Sequence, residues 1–224
     1  MSTLEGIRGA IDLGFGSSGL ADVIETPYIG EAASMFHPPD SIGRCFALIR
    51  HPIERAISKF YYLRISTWEK DFSSKYKNIT IEKYARDMGE NNWMTRKIIQ
   101  KMNGPLNLND LNRAKSLLEK RCIIGLTDRY MESLNRFQIY FNWDNSKIDE
   151  CQKKLMVNKK ARNINDHPTF DNKTLVWNFF LKSNVYDVEL YQLAVQLFDE
   201  QSNLFIQEKT SVVPSGREKK RKKR

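Results

Sequence analysis

An arginine at the end of a short apolar run, and a serine eight residues after it, are the side chains best suited to bind an anion. Residues 45–49 are apolar and β-capable, and Pro52 suits the first turn of a helix. The Arg50 guanidinium offers phosphate oxygens a planar fork of donors, and the Ser58 hydroxyl adds another donor. Unpaired N–H groups at the helix start also favour an anion. The pattern predicts a phosphate-binding strand–turn–helix junction; an ordinary junction with a solvated arginine is the alternative.

The wider spacing around this junction carries a family resemblance. The pattern Arg50-x-Pro-x-x-Arg55-x-x-Ser58, followed by aromatic residues, resembles the 3′-phosphate-binding motif of the sulfotransferases. The resemblance implies that Arg50 and Ser58 bind the 3′-phosphate of 3′-phosphoadenosine 5′-phosphosulfate (PAPS). His51 stands where that family usually has Asp or Lys.

Three further stretches resemble the same family. Residues 108–137, which include Gly-Leu-Thr-Asp at 125–128, resemble the block that follows the 3′-phosphate motif. Residues 91–96 resemble a stretch of the carbohydrate sulfotransferases, which implies that Asn92 and Arg96 lie near the active cleft. Residues 187–191, Asp-Val-Glu-Leu-Tyr, resemble the terminal helix. The resemblance therefore covers residues 25–206.

A basic loop over residues 155–170 is the next candidate element. The resemblance implies that this loop closes over the nucleotide, with Lys159, Lys160 or Arg162 near its phosphates. A cleft of positive potential would concentrate an anionic donor, although a merely solvated charged loop has the same composition.

The resemblance implies a PAPS-dependent enzyme that transfers a sulfuryl group to a hydroxyl of a carbohydrate acceptor, without a metal. Such a reaction needs positioning, a base for the acceptor and cationic stabilisation of the leaving phosphate. His37 and Glu31 are candidate bases, and His37 is alternatively a loop histidine that caps a turn.

One family element is missing from the sequence. The loop Pro-Lys-x-Gly-Thr/Ser-Thr, which binds the 5′-phosphosulfate, does not occur, and residues 14–19 are glycine-rich but lack the lysine. We therefore expect an N-terminally incomplete chain, or a catalytically inactive relic that binds nucleotide or polyanion through the 3′-phosphate half-site and the basic tail. Golgi localisation and membrane association are expected only if a longer form carries an N-terminal anchor; otherwise we expect a soluble protein.

The order of elements predicts the fold. A strand at 45–49, helices, a strand at 121–127 and another helix favour an α/β fold, in which right-handed crossovers place helices on a parallel sheet. The resemblance implies a P-loop-kinase-like sheet. Arg50 and Thr127 would lie at its carboxyl edge, where open sheets bind ligands. We expect a flexible segment at 1–24, a sulfotransferase-like domain at 25–207 and a disordered basic tail at 208–224.

Composition limits the remaining functions. Of the formal net charge of +9, +6 lies in residues 217–224, which hold seven basic residues and one acidic residue, so only +3 remains for the body. A nucleic-acid-associated protein is therefore a weaker alternative, and no specific nucleic-acid partner is expected.

The three cysteines lack zinc-site spacing, and we interpret Cys45 and Cys122 as small buried hydrophobes. The triplets at 78–80 and 172–174 are glycosylation acceptors if the chain is secreted.

Overall fold

The computed structural model describes residues 3–36, 43–68, 72–143, 150 and 167–205. These residues form a helix-rich α/β structure with a small sheet. The elements, in chain order, are α1 Leu4–Asp12, α2 Ile29–Ala32, β1 Cys45–Ile49, α3 Pro52–Leu63, α4 Ile81–Asp87, α5 Trp93–Ile99, α6 Leu108–Arg121, β2 Cys122–Leu126, α7 Tyr130–Phe141, α8 Leu175–Ser183 and α9 Val185–Glu200.

The two strands pair in parallel, as the sequence predicts. Cys45 lies opposite Cys122, and Ile49 lies opposite Leu126, so the strands begin and end together. The connection between them runs through α3 to α6, and helices flank the pair. The predicted α/β class with a parallel sheet is confirmed at this level.

A disulfide joins the two strands at their amino ends. Cys45 and Cys122 are bonded, with Cα atoms 4.5 Å apart and a sequence separation of 77 residues. The interpretation of these cysteines as small hydrophobes missed this bond, because register between distant strands is not a local property of sequence. Cys122 is still a core residue, with only 4% of its surface exposed.

The outer edge of β2 is closed by side chains. Ile124 N donates to Gln201 Oε1, and the Gln201 amide donates to the Cys122 carbonyl. Leu126 N donates to Ser133 Oγ. These bonds satisfy backbone groups that an edge strand would leave open. Helix α7 also approaches closely, since a Cβ at Gly125 would lie 2.5 Å from the Phe137 ring.

The core has two large clusters. One joins both strands to α5, α6 and α9, and the other joins α3 to α4 and α8. A smaller cluster places α1 against the segment around α2. None of the helices in the described part of the chain is long and apolar enough to cross a bilayer.

The N-terminal segment differs from the flexible segment predicted over 1–24. Leu4–Asp12 is helical because Thr3 caps the first turn, with its hydroxyl accepting from Gly6 N at 3.1 Å. Ile7 is fully buried against Tyr28 and Met35. The predicted tail at 208–224 lies outside the described residues.

Candidate functional site

The strand–helix corner after β1 is the predicted anion site, and the structure forms the predicted strand–turn–helix junction there. Arg50 follows the last residue of β1, and α3 begins at Pro52. Thr127 N donates to the Ile49 carbonyl at 2.9 Å, so the chain after β2 lies beside the chain after β1. Arg50 and Thr127 therefore share the carboxyl edge of the sheet, as predicted.

Arg50, Glu54 and Ser58 follow one another at four-residue intervals along this corner. Arg50 Nε lies 3.9 Å from Glu54 Oε2, and 36% of the Arg50 side chain is exposed. Glu54 and Ser58 are four residues apart in α3 and therefore lie on the same face of that helix, and Ser58 is half-buried. Ser58 lies six positions after Pro52 in α3, a rise of about 9 Å along the helix axis.

His51 forms an aromatic wall beside the corner with Trp177 and Tyr191. Its ring stacks on Trp177 at 5.2 Å and meets the edge of Tyr191 at 5.0 Å, both measured between centroids. Burial lowers the pKa of His51, against the opposing charges of Glu54 and Asp128. The Nδ1 atom is buried and has no hydrogen-bond partner in the described part of the chain. Burial therefore disfavours the charged imidazole, and Arg50 is the cation of this junction among the motif residues that face it.

The second arginine of the motif, Arg55, points away from this face. Arg55 Nη2 lies 2.7 Å from Glu90 Oε2, and its guanidinium lies over the Trp93 ring at 4.4 Å. Lys59 Nζ lies 2.6 Å from Glu90 Oε1. Burial raises the pKa of Glu90, but the two cations outweigh it and hold that pKa below its usual value. Arg55 thus positions α3 against the segment before α5.

The stretches predicted around Asn92 and Asp187 meet in a buried arrangement that we call the capping junction, formed by Asn92, Thr95, Asn184 and Asp187. Asn92 Oδ1 accepts from Tyr186 N and Asp187 N, so it caps the start of α9. The Asp187 carboxylate accepts from Met94 N, Thr95 N and Thr95 Oγ1, each at 2.8 Å, so it caps the start of α5. The two helices thus cap each other.

Burial is nearly complete at this junction. Asn184 and Asp187 have no exposed surface, and Asn184 Oδ1 accepts from Asn92 N at 2.9 Å. Burial raises the pKa of Asp187, and the three hydrogen bonds from Met94 and Thr95 oppose that effect. A fully buried carboxylate that already accepts three bonds is built for packing, not for binding a ligand.

Arg96 has a structural role in the loop after α5. Its guanidinium donates to the carbonyls of Asn91, Lys101 and Gly104 at 2.9–3.1 Å, and to Asn91 Oδ1 at 3.0 Å. Arg96 also lines a shallow cleft of about 380 Å³. The other residues that line the cleft are Glu90, Asn91, Trp93, Met102, Asn103 and Gly104.

The remaining predicted residues lie apart from the corner or outside the described residues. Glu31 lies in α2, and Arg8 Nε in α1 donates to its Oε1 at 2.8 Å. His37, Lys159, Lys160 and Arg162 lie outside the described residues. Among those that are described, no cluster of three or more His, Cys, Asp or Glu side chains could hold a metal ion.

Sequence reasoning missed the residues that surround the corner from other elements. Trp177 on α8 and Tyr191 on α9 contact His51 across more than a hundred residues of sequence. No local pattern indicates such contacts. Asn184 followed by Asp187 does give a local helix-start pattern for α9, but the Asp187 carboxylate caps α5 instead, which that pattern does not predict.

Comparisons with protein-family models, curated proteins and solved structures found no match for this chain. The sulfotransferase resemblance therefore rests on the motifs and their spacing.

Proposed function

We propose that the corner formed by Arg50, Ser58 and the start of α3 binds the 3′-phosphate of PAPS, and that the protein transfers its sulfuryl group to a hydroxyl of a carbohydrate. The observation that carries this proposal is the position of Arg50, half-exposed at the carboxyl edge of two parallel strands where a helix begins. Ligands of open α/β sheets bind at that edge. The proposal includes a P-loop-kinase-like fold, in which the two parallel strands belong to a larger parallel sheet flanked by helices.

Each group at the corner has a role in this proposal. The Arg50 guanidinium donates to the phosphate oxygens, and the first N–H groups of α3 add partial positive charge. Ser58 donates from the second turn. Glu54 acts in the opposite direction, because its carboxylate lies 3.9 Å from Arg50 Nε and repels a phosphate at the same guanidinium.

The proposed reaction exchanges one sulfur–oxygen bond for another. The acceptor hydroxyl attacks sulfur and loses its proton to a base, while the bond from sulfur to the nucleotide phosphate breaks. The nucleotide leaves as adenosine 3′,5′-bisphosphate. Within this reaction, Arg50 and Ser58 would hold the nucleotide at its 3′ end and keep it aligned, which is a positioning contribution.

Calorimetric titration with adenosine 3′,5′-bisphosphate tests the corner. We expect Arg50→Ala to weaken binding by about 1.5–3 kcal/mol, as for a hydrogen bond to a charged group. We expect Glu54→Gln to tighten binding, because it removes the competing carboxylate. Arg113 is exposed on α6 and provides a control with the same loss of charge. Equal affinity of wild type and Arg50→Ala would reject the assignment, and equal weakening by Arg113→Ala would indicate unspecific attraction.

A second candidate is a protein that binds the nucleotide, or another polyanion, without transferring sulfate. The Arg8–Glu31 ion pair favours it, because it occupies one of the two candidate bases. The sequence also lacks the Pro-Lys-x-Gly-Thr loop. Incubation with radiolabelled PAPS and a panel of glycans separates the candidates. Label that appears in a glycan supports the enzyme, whereas nucleotide binding without transfer supports the binder.

A further inference from the structure

Two observations outside the corner bear on how the protein is processed. The first is the Cys45–Cys122 disulfide, which joins in-register residues of adjacent strands and lies at the edge of the main core. Structural disulfides of this kind form and persist in oxidising compartments. The bond thus points to a chain that folds on the secretory route.

The second observation is the position of two asparagines. The sequence contains two Asn-x-Ser/Thr triplets, which begin at Asn78 and Asn172. Both asparagines are exposed, and each stands in a turn just before a helix. By contrast, the buried Asn92 and Asn184 are not part of such triplets.

The threonine of each triplet is also the N-cap of the helix that follows. Thr80 Oγ1 accepts from Lys83 N at the start of α4, and Thr174 Oγ1 accepts from Trp177 N at the start of α8. Each triplet therefore lies on the surface, in a turn whose end is fixed by a cap. A glycan on either asparagine would extend into solvent without displacing the core.

We propose that Asn78 and Asn172 are N-glycosylated, whether or not the corner binds a nucleotide. In this reaction the side-chain amide nitrogen attacks the anomeric carbon of an oligosaccharide carried on a lipid diphosphate. The new bond joins nitrogen to that carbon, the bond from the carbon to the diphosphate oxygen breaks, and the amide loses one proton. The lipid diphosphate leaves, and no oxidant is needed. The enzyme that does this recognises the Asn-x-Ser/Thr triplet in secreted chains.

Protein isolated from its own cells tests the proposal directly. Peptide-N-glycosidase in heavy-oxygen water converts each glycosylated asparagine into an oxygen-labelled aspartate. We expect mass spectrometry to find the label at Asn78 and Asn172, and peptide mapping without reduction to recover Cys45 linked to Cys122. Unlabelled asparagine at both positions would overturn the proposal. Free thiols at both cysteines would remove its premise and would also overturn it.

Variants that preserve the helix caps test each site separately. Aspartate is a good N-cap, so Thr80→Asp keeps the start of α4 but destroys the triplet, whereas Thr80→Ser keeps both. In secretory-route expression we expect Thr80→Asp to lose one glycan, Thr80→Ser to lose none, and the double variant with Thr174→Asp to lose both. The same electrophoretic mobility for wild type and the double variant would contradict the proposal.

Discussion

The strand–helix corner and the capping junction both place polar side chains at the starts of helices, but they treat those side chains in opposite ways. At the junction, Asn92 and Asp187 are buried, and each accepts hydrogen bonds from two or more groups of the facing helix. At the corner, Arg50 is 36% exposed beside a single carboxylate at 3.9 Å, and His51 Nδ1 lacks a partner among the described residues.

This difference separates side chains whose hydrogen bonds are completed inside the fold from side chains that reach the surface. Buried polar groups are almost always satisfied, so a complete set of bonds is what packing alone requires. Arg50, in contrast, is half-exposed at the carboxyl edge of the sheet, where either solvent or the proposed phosphate can accept its hydrogen bonds. Residues 91–96 and residues 187–191 both resemble the family. In the structure, their buried side chains cap α5 and α9 and hold these two helices together.

Asp187→Ala gives the largest expected effect. The substitution leaves Met94 N, Thr95 N and Thr95 Oγ1 without their acceptor in a buried site, where each lost bond costs about 1–3 kcal/mol. We expect the free energy of unfolding to fall by about 3 kcal/mol or more. Urea denaturation followed by circular dichroism measures this loss.

Asp199 supplies a matched control on the same helix. Its carboxylate is exposed and pairs with Arg129, and surface ion pairs contribute at most about 1 kcal/mol. If Asp187→Ala and Asp199→Ala destabilise the protein equally, the junction does not hold α5 and α9 together as the structure indicates.

Asn92 gives a smaller effect that can be divided into two parts. Asn92 has a left-handed backbone with φ of +48°, and its side chain caps α9. Loss of a cap costs about 1–2 kcal/mol, and an ordinary side chain in the left-handed region costs about 1–2 kcal/mol more. We therefore expect Asn92→Ala to lose more stability than Asn92→Gly, because glycine tolerates this conformation. Thermal and urea unfolding of both variants would show the difference, and equal losses would contradict it.

The corner could be predicted from sequence because its signals are local. An apolar run of five residues, an arginine at its end and a proline two residues later indicate a strand, a turn and a helix start, and β1 and α3 begin where these signals lie. The parallel pairing followed from the order of strands and helices. Both inferences used residues close together in the chain, where spacing limits geometry.

The rest depended on contacts between distant residues. The disulfide pairs cysteines 77 residues apart, and the junction pairs Asn92 with Asp187 across a similar distance. Register and mutual capping are set by how the helices pack, which spacing within one segment does not specify. Helix α1 was missed because small and glycine residues at 1–20 suggested a loop, whereas the Thr3 cap and burial of Ile7 stabilise a helix.

The smallest expected effect concerns pH and the corner. Burial lowers the pKa of His51 in the folded protein, whereas an unfolded histidine titrates near about 6.5. Below that pH the unfolded chain binds more protons than the folded one, so stability is complete above about pH 6.5 and falls as the pH decreases toward the folded pKa.

His51→Phe keeps an aromatic ring against Trp177 and Tyr191 but cannot titrate. We expect the variant to lose less stability than wild type between about pH 7 and about pH 5. Urea unfolding at a series of pH values measures this loss of stability. At about pH 8, the difference in the free energy of unfolding between wild type and His51→Phe reports the replacement of the imidazole ring alone. If the two curves are parallel across the whole range, burial does not lower the pKa of His51, and the imidazole beside Arg50 is as well solvated as an exposed histidine.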